Sequence, residues 1–188
     1  AGNQKGYNLE LQNYPLSVEE AFLQTKNSRF NVAKINAQRS EILSSEDLKG
    51  QIQCGRLEWD GEGMNVKFVL DKYGPYKILE HPKTELKGLD IGGIDSYDQD
   101  EASTSSMGSA IIFRRFYSMD IAGNYPIAEY TERPDTAEEF WDGCLKLAVY
   151  YNAKMLIEFT RIGIIGYFQR AGGKHFLKER PTTAHSPK

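Results

Sequence analysis

Cysteine is scarce in this sequence: Cys54 and Cys144 are the only two in 188 residues, and there are three histidines. Cys144 sits among apolar residues at helical spacing. The pair therefore reads as two reduced, packed thiols rather than a disulfide framework or a zinc site. No apolar run approaches the roughly 18 residues that a membrane span needs, and no charged stretch leading into an apolar one begins the chain. A soluble, intracellular protein is the expectation. A basic excess is also missing. The 23 Lys and Arg against 26 Asp and Glu give a net charge of -3, so no global positive field advertises nucleic acid. Local patches, and metal cations set against carboxylates, would have to serve that purpose. A Walker-type phosphate loop is absent as well, which argues against ATP hydrolysis by this piece.

What is present is globular: 40% hydrophobic and 26% charged residues, with 12% aromatics that include eleven Tyr and lean towards sheet. The length suits one domain with a core of its own plus some appended structure. Both ends are polar and lack a closing element, which predicts a piece of something larger.

Residues 1–49 read as a helical arm. Ser17 with Glu20 three residues on is a capping box, so a short helix is expected from Val18; a second is expected over Asn31–Leu43. Neither can bury a core alone. Residues 50–87 change character. Gln51–Asp60 and Met64–Asp71, around Gly61-Glu-Gly63, read as a hairpin, and Tyr76–Glu80 as a third strand, giving a small antiparallel meander.

From Gly88 to residue 178 the pattern is α/β. Leu89–Asp95, Ser109–Phe116 and Ile127–Thr131 are three strands with short connections, hence antiparallel neighbours. A helix follows, with Asp135 as N-cap, Glu138 at N3, and Phe140, Trp141, Cys144, Leu145 and Ala148 on one buried face. Lys154–Glu158 is a fourth strand, Arg161–Arg170 a helix ending at Gly172-Gly173, and Lys174–Leu177 a fifth strand. The order is β-β-β-α-β-α-β. A right-handed crossover lays the fourth strand parallel beside the first, and the C-terminal ends of such strands are where sites form in open α/β sheets. This is the mixed sheet, flanked by helices, of the ribonuclease H-like fold.

That topology brings Asp95 and Glu158 together. Each ends a short apolar strand, and a Glu directly after Met-Leu-Ile stands where a buried side chain belongs, so it needs a cation or a hydrogen-bond partner. Two carboxylates on one edge suit Mg²⁺ or Mn²⁺, hard cations that take oxygen ligands and keep several waters. A two-metal site can neutralise a phosphodiester, activate a water and stabilise the leaving oxygen. Asp98, just past the first strand, is the best assisting carboxylate of the acidic loop that also holds Asp100 and Glu101. Arg114, Arg161 and Lys174 lead the cations that could contact DNA phosphates.

Several stretches resemble the nuclease domain in the large subunit of tailed-phage terminases. They are Gly92–Asp100 for the first strand and its loop, Ser106–Phe113 entering the second, Ile127–Phe140, and Tyr150–Glu158; Tyr14–Phe22 resembles the segment that links the packaging ATPase to the nuclease. The resemblance implies a Mg²⁺- or Mn²⁺-dependent endonuclease that cuts concatemeric double-stranded DNA during genome packaging in the cytoplasm of a bacterial host. It implies portal, procapsid and the small terminase subunit as partners of the full protein, and no membrane. Asp95 and Glu158 match that family's metal-binding carboxylates. The family's third acidic residue lies on a C-terminal helix, expected past Lys188, so the isolated piece is expected to be weak in metal binding or inactive. Two other readings compete. One is an actin- or sugar-kinase-like ATP-binding domain, for which Asp90-Ile-Gly-Gly93 would be the phosphate hairpin, although Ile94 stands where a hydroxyl residue belongs. The other is a non-catalytic ribonuclease H-like module that docks on a portal or partner protein.

Overall fold

Alternation of apolar and polar residues builds one mixed sheet of seven strands, flanked by helices, in an α/β chain. The structure is a computed structural model and describes residues 31–45, 50–61, 63–83, 85–97, 107–116, 118–119, 123–157 and 162–179. The chain divides into two units, Ala1–Gln51 and Ile52–Lys188. In the first, helix α1 runs Val32–Ser44 and is capped by Asn31, whose Oδ1 accepts from the Lys34 amide at 3.1 Å. The helix expected from Val18 lies outside the described residues.

The second unit holds β1 (Gln53–Trp59), β2 (Val66–Leu70), β3 (Tyr76–Ile78), β4 (Asp90–Asp95), β5 (Gly108–Arg114), β6 (Tyr125–Glu132) and β7 (Lys154–Ile157). Their order across the sheet is β2-β1-β3-β6-β5-β4-β7. Among the named strands β4 and β7 pair in parallel and the other ladders are antiparallel. The expected meander over residues 50–87 is corrected: β3 pairs with β1 rather than with β2, and these strands are one end of the same sheet. Ile78 pairs with Ala128, Tyr76 stacks on Tyr130 at 4.5 Å, and β3 joins the two halves into one sheet.

Helix α2 (Ala137–Tyr151) carries the crossover from β6 to β7. Its face of Phe140, Trp141, Cys144, Leu145 and Ala148 is buried as the spacing predicts, together with Leu147. It packs on the strand residues of the same parity, among them Leu57, Ile94, Ala110, Ile112 and Met155. The cap differs by one residue from expectation. Thr136, not Asp135, is the N-cap: its backbone is extended, its hydroxyl accepts from the Glu139 amide, and Glu139 answers from N3 by accepting the Thr136 amide. Asn152 ends the helix in the left-handed region at φ 46°, a conformation asparagine tolerates better than most residues.

Helix α3 spans Ile162–Arg170 and buries Ile164 and Phe168. Gly172 follows at φ 80° and starts a 3₁₀ turn, Gly173–Phe176, where a fifth strand is expected from sequence. The left-handed glycine and the close approach of Gly173 to Leu145 turn the chain sharply. Only one parallel bridge, Leu177 to Met155, survives of the expected strand. Among the described residues no helix is long and apolar enough to cross a membrane.

Candidate functional site

The β4–β7 ladder sets the site. Ile91 pairs with Lys154, Gly92 with Met155, Gly93 with Leu156 and Ile94 with Ile157. Both strands therefore point their C-terminal ends the same way, side by side. Asp95 is the last residue of β4, is exposed, and alternates away from the core that Ile94 enters. The chain just beyond it is tied down: Trp141 Nε1 on α2 donates to Ser96 Oγ and to the Tyr97 carbonyl, each at 3.1 Å. Tyr97 also stacks on Phe140 at 5.1 Å and lies beneath the Arg133 guanidinium at 4.4 Å. Asp95 is held between a paired strand and this anchor.

Asp95 opens on a cleft of about 850 Å³ lined by Gly93, Leu156, Ile165, Lys178 and Glu179. Glu179 is a cleft carboxylate that the sequence reading passed over. It follows the 3₁₀ turn in a charged run with nothing periodic to mark it, and the Leu177–Met155 bridge, with the Lys154 bond to the His175 carbonyl and buried Phe176, brings that run to the site. Glu158, Asp98 and Arg161 lie outside the described residues; Glu158 is the next residue in sequence after Ile157. Among the described residues no three His, Cys, Asp or Glu side chains gather closely enough to hold a metal ion. Those that line the cleft, Asp95 and Glu179, are hard oxygen donors, the type that Mg²⁺ and Mn²⁺ take.

Arg114, expected at a DNA surface, is instead fully buried at the opposite end of the sheet. Its Nε and Nη2 donate to the two oxygens of Asp90 at 2.9 and 3.1 Å, Nη2 also reaches the His81 carbonyl at 3.3 Å, and Nη1 meets Glu80. Tyr125 Oη donates to Glu80 as well, and Tyr151 Oη to the Glu80 carbonyl at 2.7 Å. Burial draws the Arg114 pKa down, but hydrogen bonding to Asp90 and the charges of Asp90 and Glu80 outweigh it and hold it above the ordinary arginine value. The Tyr125 phenol is raised, first by its bond to Glu80 and then by burial. Arg114 therefore cannot contact a phosphate. Asp90, consumed by Arg114, offers nothing to a nucleotide, which weighs against the phosphate-hairpin reading.

Lys174 is exposed in the 3₁₀ turn. Arg170 is paired with Glu138 at 3.0 Å on an exposed surface, while Arg115 and Lys178 are exposed near the cleft end and the open face of β4. Compared with known protein families, curated proteins and solved structures, the chain matches none.

Proposed function

We propose that this chain is a ribonuclease H-like, metal-dependent DNA endonuclease domain of the kind found in tailed-phage terminase large subunits. The observation that supports it most is the order β6-β5-β4-β7, with β5 antiparallel to both neighbours, β4 parallel to β7, and Asp95 at the C-terminal end of β4 facing a cleft. Asp95 and Glu179 are the described residues that would hold Mg²⁺ or Mn²⁺, with Glu158 added on sequence grounds. The ion, when bound, supplies charge neutralisation and an acidified water. The chain's own part is positional. The Ser96–Trp141 bond fixes the strand end that carries Asp95, and Lys178 beside Glu179 offers a cation to a phosphate. On this reading the substrate is concatemeric double-stranded DNA, the setting is the cytoplasm of a bacterial host, and portal, procapsid and small subunit are partners of the whole protein.

The test is nicking of supercoiled plasmid in Mn²⁺ by the complete protein that carries this domain, alongside calorimetric titration of Mn²⁺ into it. Asp95→Asn is expected to lower cleavage by about 100-fold or more, since even the supporting residues of metal sites cost 10–100-fold, with no fall in thermal stability because the side chain is exposed. Glu179→Gln is expected to weaken Mn²⁺ binding. Undiminished cleavage by Asp95→Asn, or cleavage indifferent to EDTA, would sink the proposal.

A further inference from the structure

The strand residues that alternate away from α2 form a second surface. Ile91 is 40% exposed, and Ile111 and Leu156 are each 44% exposed. The register sets Gly93 between Ile111 on one side and Leu156 on the other. Phe113 flanks Ile91 in the same way.

Gly93 is the telling residue. A Cβ on its neighbour Gly92 would press on the end of the Met155 side chain and on Ile112, so a larger residue there requires Met155 to shift. A Cβ on Gly93 would meet nothing within 4 Å. Nothing among the described residues needs the space, and β-branched residues would serve a strand better there. The missing side chain turns the middle of the sheet face into the floor of a groove of about 640 Å³, walled by Ile91, Phe113 and Leu156.

The rim of that groove is basic. Lys87, Arg115, Lys154 and Lys178 line it, all exposed. Among the described residues none of the four is within ion-pair distance of a carboxylate. Lys154 donates to the His175 carbonyl and Arg115 to the Gly88 carbonyl at 3.4 Å, and both partners are neutral. Among the described residues Asp90 is the one carboxylate lining the groove, and Arg114 neutralises it. Four cations, none ion-paired among the described residues, on one face of a chain whose net charge is -3 make a local field of a sign opposite to that of the whole.

We propose that this groove is the docking site for an acidic amphipathic helix of a partner protein. Two features must be matched together. The aliphatic floor takes an apolar stripe, and the rim takes carboxylates on either side of it. A helix laid on an open sheet face is how α/β layers are completed, and its anchors would recur at i, i+3, i+4 and i+7. Exposed β4 from Ile91 to Asp95 runs roughly 13 Å, the rise of between two and three helical turns. A duplex would satisfy the cations but leave the aliphatic floor without a partner.

Two synthetic helices with the same Leu stripe, one bearing Glu and the other Lys at the remaining positions, separate the possibilities when titrated into the full chain by fluorescence anisotropy. The Glu helix is expected to bind, more weakly as salt rises, and the Lys helix to bind at least about tenfold less tightly, a gap of about 1.4 kcal/mol. Gly93→Val is expected to weaken the Glu helix by about tenfold or more while melting no lower than the wild type. Arg115→Glu with Lys87→Glu is expected to weaken it with the floor intact. Equal affinity for both helices, no binding of the Glu helix, or an unchanged affinity in Gly93→Val overturns the proposal. So does duplex DNA that competes with the Glu helix and is itself weakened by Gly93→Val, or self-association of the chain that Gly93→Val abolishes.

Discussion

Asp90 and Arg114 stand directly opposite each other in the β4–β5 ladder, and both side chains turn inward. A two-pronged bond joins them, and Glu80, His81 and Tyr125 close around the guanidinium. The pair fastens the N-terminal end of β4 to the loop after β3 and to the start of β6. The other end of β4, where Asp95 sits, is left open. One strand thus carries its structural charge and its candidate functional charge at opposite ends.

Removing one member of that pair strands the other. Arg114→Met is expected to cost roughly 3–5 kcal/mol, the usual penalty for leaving a buried charge unpaired, read as a fall in the urea midpoint. Arg114→Met combined with Asp90→Leu is expected to recover part of it, because Asp90 is no longer an orphan while Glu80 and the His81 carbonyl still lose the guanidinium. A surface role in DNA binding would instead show as lost affinity with the midpoint unchanged.

Sequence alternation held the clue to Arg114. Ala110, Ile112 and Arg114 share one parity and Asp90 shares it with Ile94, so strict period-2 reading places both charges inside. The charge of Arg114 argues instead for the surface, where an unpaired guanidinium belongs. The strands themselves were legible because their apolar residues alternate, and the parallel β4–β7 pairing followed from crossover handedness. The fifth strand was not, since Lys174-His-Phe-Leu177 has strand-like composition and only the left-handed Gly172 and the contact of Gly173 with Leu145 show that it coils. Glu179 was invisible because its place depends on tertiary contacts, the Leu177–Met155 bridge and the Lys154 bond to the His175 carbonyl, that no local pattern signals.

Alkaline pH should loosen the fold. Burial raises the pKa of Tyr76, Tyr130 and Tyr151 above the ordinary value of 10.0. Above about pH 10 the unfolded chain releases these protons while the folded one keeps them, so the unfolded state binds fewer and stability falls as pH rises. Below that range these groups contribute their full share. Urea midpoints should drop above about pH 10 in step with tyrosinate absorbance, and Tyr151→Phe should soften the drop.

Adjacent glycines should answer differently to the same change. Gly92→Ala presses a methyl group into Met155 and Ile112, and overpacking of this sort typically costs about 1–3 kcal/mol. Gly93→Ala, pointing into open space, should be neutral or slightly stabilising. Thermal melts of the two variants make the comparison.

The helix cap can be read by substitution too. Thr136→Ala removes the hydroxyl that accepts from Glu139 and is expected to cost about 1 kcal/mol. Asp135→Ala, one residue earlier, should change stability by less than about 0.5 kcal/mol. The reverse order of effects would move the cap back to Asp135.

Because β3 lies between β1 and β6, the sheet cannot be completed in the order in which it is synthesised. Lys77 and Glu129 face each other although 52 residues separate them in the chain. Until β6 emerges and folds, β3 has no neighbour on one side, and the early hairpin carries an open edge of the kind that recruits other chains. Closing that long loop is also entropically slow. The joint between the two halves of the sheet is therefore expected to form late, and crowding during synthesis would do harm there.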